Sequence, residues 1–203
     1  MTLNPLRGIA VATLVSAGLL ASGCMSMGSE GMGDGMGMSA SAQADVTVGG
    51  APMYANKTIV ENAVNSPIHT TLVAAVTAAG LVDTLSGPGP FTVFAPTNDA
   101  FAKLPAGTVD TLVQPANRAT LTKILTYHVV AGRLSAADIM QRIRAGNGRA
   151  ALTTVEGGTL TASMRGNSVI VTDEKGGVAT ITQADVFQSN GVIHVTDTVS
   201  MPN

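Results

Sequence analysis

Three histidines, a single cysteine and a run of closely spaced methionines are the side chains of this 203-residue chain best equipped for chemistry. A histidine can ligate a metal or carry a proton near neutral pH. His69, His128 and His194 have no partner at the short spacing of a local metal motif, so only folding could gather them. His128 stands among Tyr127, Val129 and Val130, and His194 lies between Ile193 and Val195. In such apolar company a histidine is expected to be a neutral core residue bonded to backbone groups. Met25, Met27, Met32, Met36 and Met38 offer thioethers of the kind that suits Cu(I). No histidine or second cysteine joins them, so they read first as uncharged filler in a low-complexity segment.

The carboxylates are few, and Asp83, Asp99, Asp110 and Asp138 fall where caps and turns use them. There is no Gly-x-Ser-x-Gly elbow, no Walker loop and no His-Glu-x-x-His. Gly146-Asn147-Gly148 follows a helical stretch rather than a strand, which removes it as a dinucleotide fingerprint. Neither a catalytic residue nor a cofactor is expected. A net charge of -2 with eleven Lys and Arg gives no basic field, so nucleic acid is excluded as a partner.

The amino terminus has the layout of an export signal. Met1 to Arg7 is short and basic, and Ile9 to Ala21 is apolar but too short to span a bilayer comfortably. It ends in Leu20-Ala21-Ser22-Gly23-Cys24, small residues before a cysteine that resemble the lipobox of bacterial lipoproteins. Residues 1–23 are therefore expected to be a lipoprotein-type signal peptide, with Cys24 carrying acyl chains in a periplasmic or surface-facing protein. Lipidation also explains an unpaired thiol in an oxidising compartment. Residues 24–44, rich in Gly, Met and Ser, read as a flexible tether, and residues 45–203 as one domain.

Within that domain the pattern predicts elements. Val46 to Gly50 suggests a short strand, and Thr58-Ile59-Val60-Glu61 is a capping box that should open a helix. A second helix from about His69 should stop at Gly80. Phe91 to Phe94 reads as a strand, and Pro96-Thr97-Asn98-Asp99 as the corner into a helix, with Thr97 and Asp99 accepting backbone N–H bonds. Asn117 and Ser135 should cap two further helices. After Gly148 come β-branched runs at Thr159 to Met164, Val169 to Thr172, Val178 to Ala184 and Val192 to Val199, with turn signals at Gly166-Asn167 and Gly176-Gly177. Helices first and strands later predict an α+β domain.

Three ordered segments carry a resemblance. Phe91-Thr92-Val93-Phe94-Ala95-Pro96-Thr97-Asn98-Asp99-Ala100-Phe101, Tyr127-His128-Val129-Val130-Ala131-Gly132 and Asn190-Gly191-Val192-Ile193-His194-Val195-Thr196-Asp197 resemble the signatures of the fasciclin domain family. The resemblance implies a seven-stranded β-wedge with helices packed along it, and adhesion or extracellular interaction rather than catalysis. It assigns structural work to Thr97, Asn98, Asp99 and His194. It also points to contacts at the Tyr-His region, here Tyr127 and His128, and at an Asp-Ile pair matched by Asp185-Val186. Asp185, Gln188 and Ser189 are polar residues with no evident use to a core, on the connection into the last motif. The contact surface is expected to include Asp185, Val186 and Gln188, extended by Tyr127. The expected partner is an envelope, matrix or host-surface protein or glycan. The alternative is a carrier of a small ligand or of copper, using the methionine-rich tether or a cleft in the domain.

Overall fold

A computed structural model describes residues 46–203. The first elements are a hairpin, β1 (Val46–Val48) and β2 (Ala51–Met53), joined by Gly49 and Gly50 at φ 58° and 86°. Helix α1 (Ile59–Ala63) opens with the predicted capping box: Thr58 Oγ1 accepts from Glu61 N–H, and the Glu61 carboxylate accepts from Thr58 N–H at 2.7 Å. Helix α2 (Thr70–Ala79) stops at Gly80, which takes the left-handed conformation at φ 72°. A short α3 (Val82–Ser86) leads into strand β3 (Phe91–Pro96).

The corner after β3 is capped by Thr97, whose hydroxyl accepts from Ala100 N–H, and α4 (Asn98–Ala102) follows. Asp99 is only a first-turn acid there; the cross-links come from Asn98. Its amide accepts from Thr71 N–H and donates to Pro67 C=O, tying the corner to the start of α2. Next come α5 (Thr108–Leu112), α6 (Arg118–Tyr127), β4 (Val129–Ala131) and α7 (Ala136–Ala145). Ser135 and Asp138 close a second capping box on α7. Asn117 precedes α6 without capping it, because its amide donates to Thr111 C=O instead.

The carboxy-terminal half is a meander: β5 (Arg149–Thr153), β6 (Thr159–Arg165), β7 (Ser168–Thr172), β8 (Val178–Gln188) and β9 (Gly191–Thr196). Seven strands form one sheet in the order β4-β3-β9-β8-β7-β6-β5. Its two outer strands meet, with Val130 bridging to Thr154 and Val155 N–H donating to Val129 C=O at 2.7 Å. The sheet thus curls into a nearly closed wedge. β3 and β9 are its parallel pair, placing Phe94 beside His194.

Alternation along β3 sorts the core into two parts. Val93 and Ala95 pack with Ile193, Val195, Leu72, Val76 and Leu125 beneath the helices. Phe94 packs the opposite way, with Tyr127, Ile139, Leu152, Leu160 and Val171. Each fully buried aliphatic side chain contributes about 1.5–3 kcal/mol, so both layers are needed to hold the wedge. The α+β class and the seven-stranded wedge expected from the sequence are what the chain adopts.

Candidate functional site

The segment expected to present a contact surface is not a loop. β8 runs through it to Gln188, with register shifts between Ile181 and Gln183 and between Gln183 and Val186. Asp185 sits in the resulting bulge at φ 59°, a conformation Asp tolerates better than most residues. Its carboxylate accepts from Ala136 N–H at 2.7 Å, in the first turn of α7, where negative charge suits the helix dipole. Its own N–H donates to His194 Nδ1 at 3.3 Å.

His194 is fully buried. Nε2–H donates to Leu134 C=O at 2.8 Å, and the ring stacks on Phe94 with centroids 5.7 Å apart. One nitrogen accepts and the other donates, so the ring is neutral. Burial holds its pKa below the ordinary histidine value, with the Leu134 carbonyl and the Asp185 carboxylate opposing that shift. His128 follows the same plan: Nδ1–H donates to Ile124 C=O at 2.8 Å and Nε2 accepts from Ser200 N–H at 3.0 Å. Its pKa is likewise lowered by burial, against the Ile124 carbonyl and Asp173. Asp173 is itself consumed, accepting from Gly177, Lys175 and Met201 N–H groups, which fastens the carboxy terminus to the β7–β8 turn. Both histidine rings are thus bonded to backbone through both nitrogens, and His128, expected at a contact surface, is buried.

Two other expectations need correction. Tyr127 does not reach the surface: its hydroxyl donates to Thr159 C=O at 2.8 Å and accepts from Glu174 N–H at 3.1 Å, and burial pushes its pKa up to about 12. Val186 and Gln188 are buried as well. Val186 faces the helical layer of the core. The Gln188 side-chain carbonyl accepts from Asn62, whose amide also clasps the backbone of Tyr54 in both directions. Gln188 and Asp185, which looked spare, are cross-links to partners 126 and 49 residues away in sequence. Of that stretch, Phe187 and Ser189 are the exposed members, Phe187 at 41%.

Nothing in the sequence pattern marks Asn62, and Asn190 does more than stand in the turn between β8 and β9. Asn190 is buried, accepting from Ile59 N–H and donating to Leu85 and Gly87 carbonyls. Gly191 beside it does not adopt positive φ. It is required because a Cβ there would lie 2.2 Å from the Phe91 carbonyl oxygen, across the β3–β9 pair. Among the described residues no group of three or more His, Cys, Asp or Glu could hold a metal ion. The signal peptide, Cys24 and the methionines at 25, 27, 32, 36 and 38 lie outside the described residues.

Residues 67–202 match the family model for the fasciclin domain. The chain belongs to the fasciclin domain family. It is 50% identical over 145 residues to Protein sll1483 of Synechocystis sp., covering 71% of this chain and 73% of that protein. Identity to Immunogenic protein MPB70 of Mycobacterium bovis is 41% over 143 residues, 68% of this chain and 65% of the relative. Cell surface glycolipoprotein MPB83 of the same species is 35% identical over 166 residues, 79% of this chain and 68% of the relative. The solved FAS1 domain pair from the insect cell adhesion molecule Fasciclin I superposes with a TM-score of 0.62 at 17% identity. That match covers 70% of this chain and half of the solved one, and it shows the shared fold.

The fasciclin motifs can now be read as fasteners. The first supplies Thr92, whose hydroxyl donates to Gly132 C=O and accepts from Leu134 N–H, locking β3 to the end of the Tyr-His motif. The second supplies His128, and the last supplies Asn190 and His194. The chemistry of these residues is spent on backbone groups.

Proposed function

We propose that this fasciclin domain protein is exported, cut before Cys24 and anchored there by acyl chains. Residues 24–44 then hold the domain away from the membrane at the periplasmic or outer face of a bacterial envelope. There it acts in adhesion, contacting an envelope, matrix or host-surface protein or glycan. The observation that carries this reading is the fasciclin match over residues 67–202. It is reinforced by a relative named as a cell surface glycolipoprotein and by a structural neighbour named as a cell adhesion molecule. Tyr127, His128 and His194 also favour an interaction module over an enzyme, since their polar atoms are bonded to backbone and not free to act as acid, base or nucleophile.

The contact face we assign lies around Phe187, an exposed aromatic on β8, together with the exposed Arg133, whose guanidinium donates to the Gln188 carbonyl at 2.8 Å. Aromatic and arginine side chains are enriched at protein–protein contacts. Anchoring is tested by fractionation and mass spectrometry of the mature protein. Acylated Cys24 at the amino terminus and membrane partitioning that Cys24→Ala abolishes are the expected results; an unmodified terminus beyond Cys24 contradicts the anchor.

A further inference from the structure

The helical layer encloses a cavity that the proposed contact face does not use, lined in part by the motif residues Val93, Phe94, His128 and Val129. It holds about 330 Å³ and lies between α1, α2 and α3 on one side and β3 and α6 on the other. An engineered apolar cavity of roughly 150 Å³ takes up benzene, and ligand pockets start near 300 Å³. This one is therefore large enough for a ligand and too large to be ordinary packing imperfection.

We propose that the cavity binds a single hydrocarbon chain, such as the alkyl tail of a free fatty acid. The walls define the ligand by what they cannot do. Val60, Val64, Val73 and Val82 stand around the opening, with Leu72, Val76 and Leu125 deeper in. The two polar side chains on the lining are already satisfied. Thr77 donates its hydroxyl to Val73 C=O at 2.8 Å, and both nitrogens of His128 are bonded to backbone. No side chain is left to recognise a polar group, so a polar ligand would lose its water without replacement, whereas a hydrocarbon gives up only unfavourable hydration.

The composition accounts for the space. The chain has no Trp and 3% aromatic residues. The three helices meet the cavity with aliphatic side chains and Thr77, mostly valines at positions 60, 73, 76 and 82, and with no aromatic ring that could reach across it. An unfilled void of this size forfeits dispersion contacts along its whole lining, and a flexible alkyl chain restores them. Val64, 58% exposed at the mouth, is the apolar surface that such a chain would cover on entering. The volume suits one chain rather than the paired tails of a phospholipid. With a net charge of -2 and no cation on the lining, the head group remains in water.

The test is fluorescence titration of the full-length protein with cis-parinaric acid, kept below its micellar concentration, beside a methyl NMR map of the same titration. Saturable binding of one probe per chain is expected, with shifts at Val64, Val76 and Leu125. Val73→Phe and Ala63→Leu, which fill the cavity from α2 and α1, should each weaken binding at least tenfold and raise the melting temperature. Met164→Ser, an exposed apolar position off the lining, should leave both unchanged. Absence of saturable binding overturns the proposal, as does wild-type affinity in folded filling variants, or methyl shifts centred on Met164 and the valines of β7 rather than the cavity. Should neither filling variant fold, the wild-type methyl map alone decides. Binding to phosphatidylglycerol vesicles without binding to the monomeric probe would also overturn it, by showing attachment to a bilayer instead.

Discussion

His194 shows how much of this domain depends on a single neutral ring. It joins the Asp185 bulge to the Leu134 carbonyl at the entrance of α7, so His194→Ala strands a buried N–H and a buried C=O together. A loss of about 1–3 kcal/mol is expected, read as a lower denaturation midpoint with unchanged slope. His69, buried with Nδ1 on the Ser66 hydroxyl and Nε2 without a hydrogen-bond partner, is held below its ordinary pKa by burial, as are His128 and His194. All three pKa values are depressed in the fold, so the unfolded chain takes up protons first as pH falls. The stability from keeping the rings neutral is complete above about pH 6.5 and is lost on descending through the folded values. The midpoint should therefore be flat from pH 8 to 7 and then fall, by up to about 1.4 kcal/mol per pH unit for each ring still neutral in the fold. Replacing His194 by Gln should make that decline shallower by one proton. A midpoint independent of pH between 7 and 5 contradicts the assignment of neutral buried rings.

At the scale of elements, what could be read in the sequence was whatever local chemistry enforces. The capping boxes at Thr58 and Ser135, the Thr97 cap, the Gly80 stop and the Gly166 turn each depend on neighbours within a few residues, and each stands where the pattern puts it. The short helices α3 and α5 and the strand β5 were not legible. β5 buries only Ala150 and Leu152, too little for a visible period, and α5 buries nothing. β8 ran past its predicted end at Ala184 because the bulge at Asp185 breaks the alternation that marks a strand. The burial of Gln188 was not legible for a different reason: polarity is written in the sequence, but the pairing of Gln188 with Asn62 is created only by folding. Gly191 carries the sharpest element-level prediction. Gly191→Ala places a Cβ against the Phe91 carbonyl between two central strands, and backbone on both sides cannot yield cheaply. It should cost several kcal/mol, enough to abolish cooperative melting, whereas Gly132→Ala, with open space around its Cβ, should cost much less despite its positive φ.

As a whole the molecule is a fasciclin wedge whose motif side chains are consumed in holding it together, which leaves the proposed adhesive contacts to the outer surface. Among the described residues no helix is long and apolar enough to cross a membrane, and membrane attachment in this account comes from the lipid on Cys24. The proposed contact face lies on β8, where Phe187 is exposed while its neighbours Val186 and Gln188 are buried. Phe187→Ser should leave the midpoint within about 0.5 kcal/mol of wild type, as surface substitutions do. The most direct measurement is attachment of cells displaying the full-length protein to immobilised envelope extract, matrix protein and glycan, with wild type, Phe187→Ser and a strain lacking the protein run side by side. The account predicts that wild-type cells attach severalfold more than the deletion strain on at least one of these surfaces, and that Phe187→Ser removes most of the difference while remaining folded and displayed. Equal attachment by the wild-type and deletion strains on all of them would contradict the adhesive function itself.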